Sequence, residues 1–323
     1  MISNIFIIIA GFSLLAWGAE RLVAGAVSIA KHLGISPLII GLTIVALGTS
    51  APEIFISISA ALRGYADIAI GNVIGSNIAN IGLVLGIAAI VAPIQVQSQT
   101  LRREYPILFL IMLLALILMI DGELSRIDGL ILISCLVILL IVLVWLTRRR
   151  KADEPLAAEY QKELSKTLTI PYACLWLIVG LIILPLASRL TVYGAVNLAQ
   201  IFGISELIIG LTIVAIGTSL PEVATSIIGA LKGEYDLAIG NILGSNMFNL
   251  LAVLAIPELF QAVPIATSIL SRDIPFMFGF TIALFLVAYG FRGPGHITRF
   301  EGSILLLSYI AYLSFLVYKA VLL

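Results

Sequence analysis

The sequence predicts an all-α integral membrane protein with ten transmembrane helices, arranged as two five-helix repeats of inverted topology. Three observations support this prediction. The 323 residues are 61% hydrophobic and only 11% charged, a composition typical of polytopic membrane proteins and not of soluble domains. Apolar runs of membrane-spanning length follow one another along the chain. The two parts of the chain also carry the same motifs in the same order.

The predicted spans are apolar runs of about twenty residues or more, separated by short polar turns. Their approximate limits are 4–30, 36–62, 67–92, 104–121, 127–147, 171–200, 205–231, 236–258, 273–291 and 300–321. The first run is too long for a signal-peptide core and carries Glu20 and Arg21, so we expect a retained helix. A polar linker, 148–170, separates a first half, 1–147, from a second half, 171–323.

The positive charges set the predicted orientation. Loops on the side of the linker hold most of the lysines and arginines, whereas the opposite loops hold only Arg63, Arg126 and Arg272. An excess of positive charge marks the cytoplasmic side of a membrane protein. We therefore expect a multi-pass protein of the plasma or inner membrane, with both termini outside and the linker in the cytoplasm.

An internal repeat relates the two halves. Residues 35–80 align with 204–249 without a gap, and roughly two thirds of these positions are identical. Each half has five predicted spans, an odd number, so the second half enters the membrane from the opposite side. Such inverted repeats bring matching segments together near the middle of the membrane.

The first repeated motif reads GTSAPE from Gly48 to Glu53 and GTSLPE from Gly217 to Glu222. Proline interrupts a helix, so we expect breaks in helices two and seven. The backbone carbonyls that lose their helical hydrogen bonds at the break cannot face lipid, so they must face protein or a water-filled cavity. A carboxylate in mid-span is a candidate functional group. Together with hydroxyl groups and carbonyls it makes an all-oxygen site, which suits hard cations.

The second repeated motif, GNxxGSNxxN, occupies 71–80 and 240–249. Its polar residues recur every fourth position, which places Asn72, Ser76 and Asn80 on one helix face. The matching stripe of the second half is Asn241, Ser245 and Asn249. Such a stripe inside a membrane faces either an ion path or a neighbouring helix. We favour the ion path.

These motifs define a predicted cation site. Its candidate ligands are the two glutamates, the hydroxyl groups before them, the polar groups of the second motif and two backbone carbonyls: Glu53, Glu222, Thr49, Thr218, Ser50, Ser219, Asn80, Asn249, Ser76, Ser245, Ala46 and Ala215. Two alternatives remain. The glutamates could pair with Arg21 or Arg189, and the serines and threonines could bond to their own helical turn.

The doubled motifs resemble the paired alpha repeats of the calcium/cation antiporters, and nearly the whole chain is similar to prokaryotic sodium/calcium exchanger homologues. The resemblance implies a secondary active antiporter, not an enzyme, that exchanges sodium for calcium by alternating access. It implies that Glu53 and Glu222 coordinate both ions. The expected partners are Ca²⁺, Na⁺ and the lipid bilayer, with no cofactor other than the transported ions and no nucleic acid.

One position departs from part of this family. Some relatives, including the potassium-dependent branch, have aspartate where this chain has Asn249. The resemblance therefore implies exchange without obligatory potassium. The main alternative is a proton-coupled antiporter of calcium or another cation on the same scaffold. An intramembrane enzyme would need paired aspartates, a Ser-His arrangement or a histidine-rich motif, and no such motif is present in the sequence.

Overall fold

The computed structural model describes residues 1–62, 66–96, 98–150, 168–203, 213, 215–260, 262–289 and 295–322. In this part of the chain the protein is helical apart from two short two-stranded sheets. The all-α membrane class predicted from the sequence is therefore confirmed. Most of the predicted linker, and residues 204–212 of the internal repeat, lie outside the described residues.

The first half begins with one long helix and then alternates α-helical and π-helical segments. α1 ends where Gly34 adopts φ 64°, a left-handed conformation that favours glycine. The segments are α1 (Ile2–Leu33), α2 (Pro37–Ile40), a π-helix (Gly41–Val45), α3 (Ala46–Thr49), α4 (Ala51–Leu62), α5 (Ala66–Ala79), a π-helix (Asn80–Leu85), α6 (Gly86–Val91), β1 (Ile94–Val96), α7 (Ser98–Met119), β2 (Glu123–Leu124) and α8 (Arg126–Arg150).

The second half follows the same order where it is described. Its segments are α9 (Ile170–Ile201), α10 (Ala215–Thr218), α11 (Leu220–Leu231), α12 (Tyr235–Phe248), a π-helix (Asn249–Val253), α13 (Ala255–Phe260), β3 (Val263–Pro264), a π-helix (Ile269–Asp273), α14 (Ile274–Ala288), β4 (Gly295–Ile297) and α15 (Arg299–Leu322). The π-helices at Asn80 and Asn249 begin at matching positions of the repeat.

Among the described residues, seven helices are long and apolar enough to span a membrane, and a bent pair makes an eighth. The bent pair, Pro37–Thr49 and Ala51–Ile58, corresponds to span two and turns by 44°. This count is lower than the ten predicted from the sequence. α7 is not among the seven, because Arg102, Arg103 and Glu104 near its start shorten its apolar part. Only the second part of span seven is described.

The centre of the molecule is formed by spans three and eight. In the most apolar 18 residues of Ala69–Val91 and of Tyr235–Leu259, 83% and 89% are buried, against 28% in the corresponding windows of α1 and α9. α12 packs closely on the first half of the chain, since a Cβ atom at Gly240 would collide with the Leu38 carbonyl. The outer helices therefore face lipid around a core in which the two halves interlock.

α1 and α9 pack against one another at very short range. A Cβ atom on Gly25 would collide with the backbone of Leu177, and one on Gly180 would collide with the backbone of Leu22. Small residues at such contacts allow helix backbones to approach closely within a membrane. The two first helices of the halves thus form one tightly packed pair.

Two strand pairs join the halves to each other. β1 pairs antiparallel with β4, with Ile94 opposite Ile297, and β2 pairs antiparallel with β3, with Leu124 opposite Val263. In each pair one strand comes from the first half and the other from the second half. The sequence analysis did not predict these strands, because two or three residues are too few for a periodic pattern.

The close packing of α1 and α9 makes a testable prediction. We expect Gly180→Ala to destabilise the protein by about 1–3 kcal/mol, because the added methyl group forces the helices apart. The control is Gly279→Ala in α14, where no described atom lies within 4 Å of an ideal Cβ. That change is expected to be neutral or mildly stabilising, since alanine favours helix over glycine. Thermal unfolding in detergent measures both, and equal melting temperatures would contradict the prediction.

Candidate cation-binding site

The breaks in spans two and seven lie one residue before the helices that carry the glutamates. Ser50 (φ −78°, ψ 9°) and Ser219 (φ −85°, ψ 1°) leave the helical conformation at matching positions. The prolines that follow lie in the first turns of α4 and α11, where the missing N–H group breaks no hydrogen bond. The predicted breaks are confirmed for the described residues, and the chain restarts as a helix immediately before each glutamate.

Glu53 and Glu222 both lie in the first turn of a helix. The first N–H groups of a helix have no partner within it, and the helix dipole gives this end a partial positive charge. A carboxylate is therefore favourable at both positions. Each side chain is only 1% exposed, and the two negative groups interact electrostatically with one another. The fold thus brings the two repeated glutamates into one buried place.

Ten of the candidate ligands chosen from the sequence have buried polar side chains, and we call them the central polar cluster. They are Thr49, Ser50, Glu53, Ser76, Asn80, Thr218, Ser219, Glu222, Ser245 and Asn249. None is more than 7% exposed. The donor set consists of carboxylate, hydroxyl and amide groups.

Glu222 receives hydrogen bonds from both halves. Its Oε1 accepts from Ser50 Oγ at 3.2 Å and from Ser245 Oγ at 3.5 Å, and the Thr49 side chain lies near this carboxylate. Its Oε2 is buried and has no hydrogen-bond partner among the described residues. One oxygen of the carboxylate is therefore held by hydroxyl groups while the other remains available to a ligand.

Residues of the repeat that correspond to Thr49 and Ser245 surround Glu53. The hydroxyl groups of Ser76, from its own half, and Thr218, from the other half, lie near its carboxylate. Its Oε2 is likewise buried without a partner in the described part of the chain. Each glutamate thus lies near the threonine of the opposite motif and the serine of its own second motif. This crossed arrangement is what an inverted repeat predicts.

The candidate backbone ligands differ between the halves. The Ala46 carbonyl accepts from Ser50 N at 3.0 Å and from Thr49 Oγ1 at 3.3 Å. In the second half, Ser219 N bonds instead to the Ile216 carbonyl at 3.1 Å. Ala215 begins α10, and its side chain lies outside the described set. The structure therefore places Ala46 beside the cluster with its carbonyl already engaged.

The polar stripes of the second motif face the broken helices, but their first members make hydrogen bonds between helices. Asn72 Nδ2 donates to the Glu53 carbonyl at 3.4 Å. Asn241 accepts from Thr49 Oγ1 at 3.0 Å and donates to Ser226 Oγ at 3.4 Å. Asn72 and Asn241 therefore connect neighbouring helices, whereas Ser245 reaches the Glu222 carboxylate.

Some residues at the cluster were not singled out from the sequence. Ser188 Oγ donates to the Gly217 carbonyl at 2.6 Å, close to the break in span seven. Ser226 follows Glu222 by one helical turn and binds Asn241. Ser226 could have been found from the sequence, because the repeat has a serine, Ser57, at the matching position. Ser188 could not, because the matching residue is Ala19.

Neither intramembrane arginine considered as a partner of the glutamates takes that role. Arg21 lies over the Trp176 ring at 4.7 Å, and Arg189 lies over the Phe55 ring at 4.2 Å. Aromatic faces attract cations, so each arginine has a site of its own. The negative charges of the cluster are thus left for a bound cation to balance.

Comparison with known proteins identifies the family. The model of the sodium/calcium exchanger protein family matches residues 3–145 and again 172–318. The chain belongs to the sodium/calcium exchanger family. Members of this family are antiporters and not catalytic enzymes, and the chain is accordingly a multi-pass membrane antiporter of this family.

Individual relatives cover nearly all of the chain. The putative antiporter CaxA of Alkalimonas amylolytica is 47% identical over 97% of this chain and 98% of its own length. The inner membrane protein YrbG of Escherichia coli K12 is 44% identical over 88% of each chain. A structure of the sodium–calcium exchanger NCX_Mj, soaked with Na⁺ and Ca²⁺, aligns with a TM-score of 0.81 at 31% identity over 97% of this chain and 98% of its own.

In this exchanger-family chain, the glutamate pair makes a second testable prediction. We expect Glu53→Gln and Glu222→Gln each to weaken Ca²⁺ binding by at least about 100-fold, because each removes a full charge next to the ion in a medium of low dielectric constant. Equilibrium binding to the purified protein measures the effect.

A matched control for this loss of charge is Glu258→Gln. Glu258 is 0% exposed and lies in α13, on the same span as Asn249 but beyond the central polar cluster. We expect this variant to bind Ca²⁺ as the unmodified protein does. A comparable loss in all three variants would show that removal of any buried carboxylate disturbs the fold, and would contradict the assignment.

Proposed function

We propose that this protein exchanges Na⁺ for Ca²⁺ across the membrane by alternating access at the central polar cluster. The observation that supports this most directly is the pair of buried glutamates, one from each half, that interact with one another and have no basic partner among the described residues. The ions are cargo, and the proposed mechanism needs no further cofactor. The soaked Na⁺ and Ca²⁺ of the similar NCX_Mj structure agree with this choice of substrates.

The proposed ligands are the ten residues of the cluster together with the carbonyls of Ala46 and Ala215. Hydroxyl and amide oxygens complete the coordination, because two carboxylates provide too few ligands for Ca²⁺, which takes six to eight oxygens. The hydroxyl groups near Glu53 and Glu222 can turn, so that their lone pairs face a cation and their protons face another acceptor.

Exchange follows from charge balance at this site. Two carboxylates carry about two negative charges, which one Ca²⁺ ion balances and which several Na⁺ ions in overlapping positions also balance. An empty pair of buried like charges is costly. The protein changes between its inward-open and outward-open states only when bound cations balance the charge of the site. One ion must therefore be carried in each direction.

The proposed architecture is ten spans in two inverted halves, 1–147 and 171–323, joined by the linker 148–170. Three findings support it. The family model matches once in each half. π-helices begin at the matched residues Asn80 and Asn249. Each strand pair also joins one half to the other.

We propose that the protein resides in the plasma or inner membrane with the linker in the cytoplasm and both termini outside. Cysteine labelling tests this orientation after native Cys135 and Cys174 are replaced by serine. We expect a membrane-impermeant maleimide to label Ala158→Cys in inside-out vesicles and Ser3→Cys in right-side-out vesicles. The reverse pattern would overturn the orientation, and labelling of both positions from one side would overturn the odd number of spans between them.

Transport in proteoliposomes tests the function. Vesicles loaded with Na⁺ are diluted into Ca²⁺, and parallel vesicles contain K⁺ or choline. We expect Ca²⁺ uptake only with an outward Na⁺ gradient, no requirement for K⁺, and no uptake in Glu53→Gln or Glu222→Gln. Uptake driven by a proton gradient without Na⁺ would establish the proton-coupled alternative. Absence of Ca²⁺ movement under both gradients would overturn calcium as the substrate.

A further inference from the structure

Two asparagines that are outside the proposed ligand set lie beside it in the core. Asn77 and Asn246 occupy matching positions of the repeat, one in α5 and one in α12, and each is 1% exposed. Buried amide groups are costly in a membrane unless they are hydrogen-bonded. Their hydrogen bonds differ, however, and this difference indicates a role for Asn246.

The orientation of Asn246 is fixed by a backbone carbonyl. Its Nδ2 donates to the Asn77 carbonyl oxygen at 3.4 Å, and a carbonyl can only accept. The Asn246 Oδ1 must therefore point the other way, where it lies 2.9 Å from Asn80 Nδ2. Since Oδ1 is also only an acceptor, the amide nitrogen of Asn80 has to face it.

This chain of hydrogen bonds determines where Asn80 presents its own oxygen. With its nitrogen held by Asn246, the Asn80 Oδ1 atom faces away from Asn246, is buried, and has no hydrogen-bond partner among the described residues. Buried polar atoms are nearly always satisfied. Asn80 lies one helical turn after Ser76, whose hydroxyl group lies near the Glu53 carboxylate, and an unpartnered amide oxygen there is suited to coordinate a hard cation.

The matching pair in the other half lacks this arrangement. Asn77 Nδ2 donates to the Val73 carbonyl of its own helix at 2.9 Å. Neither Oδ1 nor Nδ2 of Asn249 has a hydrogen-bond partner among the described residues. Asn246 reaches across to the opposite half, whereas Asn77 bonds within its own turn. The hydrogen bond between Asn246 and Asn80 therefore has no counterpart between the matching residues Asn77 and Asn249.

We propose that Asn246 is a positioning residue that holds Asn80 so that its Oδ1 faces the transported cation. Asn246 does not touch the ion and acts only through Asn80. This inference rests on the proposed function, in which Asn80 is a ligand. Residues that orient metal ligands typically contribute 10- to 100-fold to metal affinity.

Equilibrium Ca²⁺ binding to the purified full chain in Na⁺-free buffer tests the proposal. We expect Asn246→Leu, which keeps a similarly branched side chain but makes neither hydrogen bond, to weaken binding by about 10- to 100-fold. We expect Asn246→Asp to lose less affinity than Asn246→Leu, because a carboxylate oxygen still accepts from Asn80 Nδ2 although the donation to the Asn77 carbonyl is lost. Equal losses in the two variants would overturn the proposal.

The repeat offers a matched control. Asn77→Leu alters an equally buried asparagine but leaves the main-chain carbonyl that Asn246 binds, so we expect an affinity close to that of the unmodified protein. A loss as large as that of Asn246→Leu would show that the core does not tolerate the substitution at either position, and would count against positioning.

A double-mutant cycle separates positioning from packing. If Asn246 acts through Asn80, Asn80→Ala with Asn246→Leu binds Ca²⁺ no more weakly than Asn80→Ala alone. Additive losses would overturn the inference. The proposed function fails separately: it fails if the unmodified protein binds no Ca²⁺, whereas binding that is lost in Glu53→Gln and unchanged in Asn246→Leu refutes only the role of Asn246.

Discussion

The repulsion between two buried carboxylates is the constraint on which the rest of this structure depends. Glu53 and Glu222 are almost completely excluded from solvent and interact with each other. Isolated charges in a low-dielectric interior are strongly unfavourable. The fold offsets this cost with two helix N-termini and with hydroxyl groups from both halves. It leaves one oxygen of each carboxylate without a hydrogen-bond partner in the described residues. A site built in this way gains most when a cation enters.

Much of this arrangement could be predicted from the sequence because the repeat is so regular. The constant offset between GTSAPE and GTSLPE, together with an odd number of spans in each half, predicts that the two glutamates meet. The four-residue spacing of the second motif predicts which faces of α5 and α12 carry polar groups. Their burial in the two most enclosed spans agrees with that expectation. The family was predicted from the same doubled motifs and is confirmed.

Other features could not be predicted, for identifiable physical reasons. The helices break at Ser50 and Ser219 and not at the prolines, because proline is well tolerated in a first turn. The count of ten spans assumed uninterrupted apolar runs, and three charges near the start of α7 shorten one of them. Nor do matched motifs have matched partners. Ser50 binds Glu222, whereas Ser219 Oγ has no partner among the described residues. Two nearly identical segments do not reveal which of them forms a given contact.

The strand pairs have a mechanical consequence. β1–β4 and β2–β3 each connect the halves through backbone hydrogen bonds, and the proposed inverted arrangement places the two pairs on opposite sides of the membrane. If the halves rotated against one another as two rigid bodies, at least one of these connections would shear. The strand pairs therefore hold the core helices together, and a separate unit that packs outside them moves most easily. α1 and α9, which pack on each other and face lipid, form such a unit.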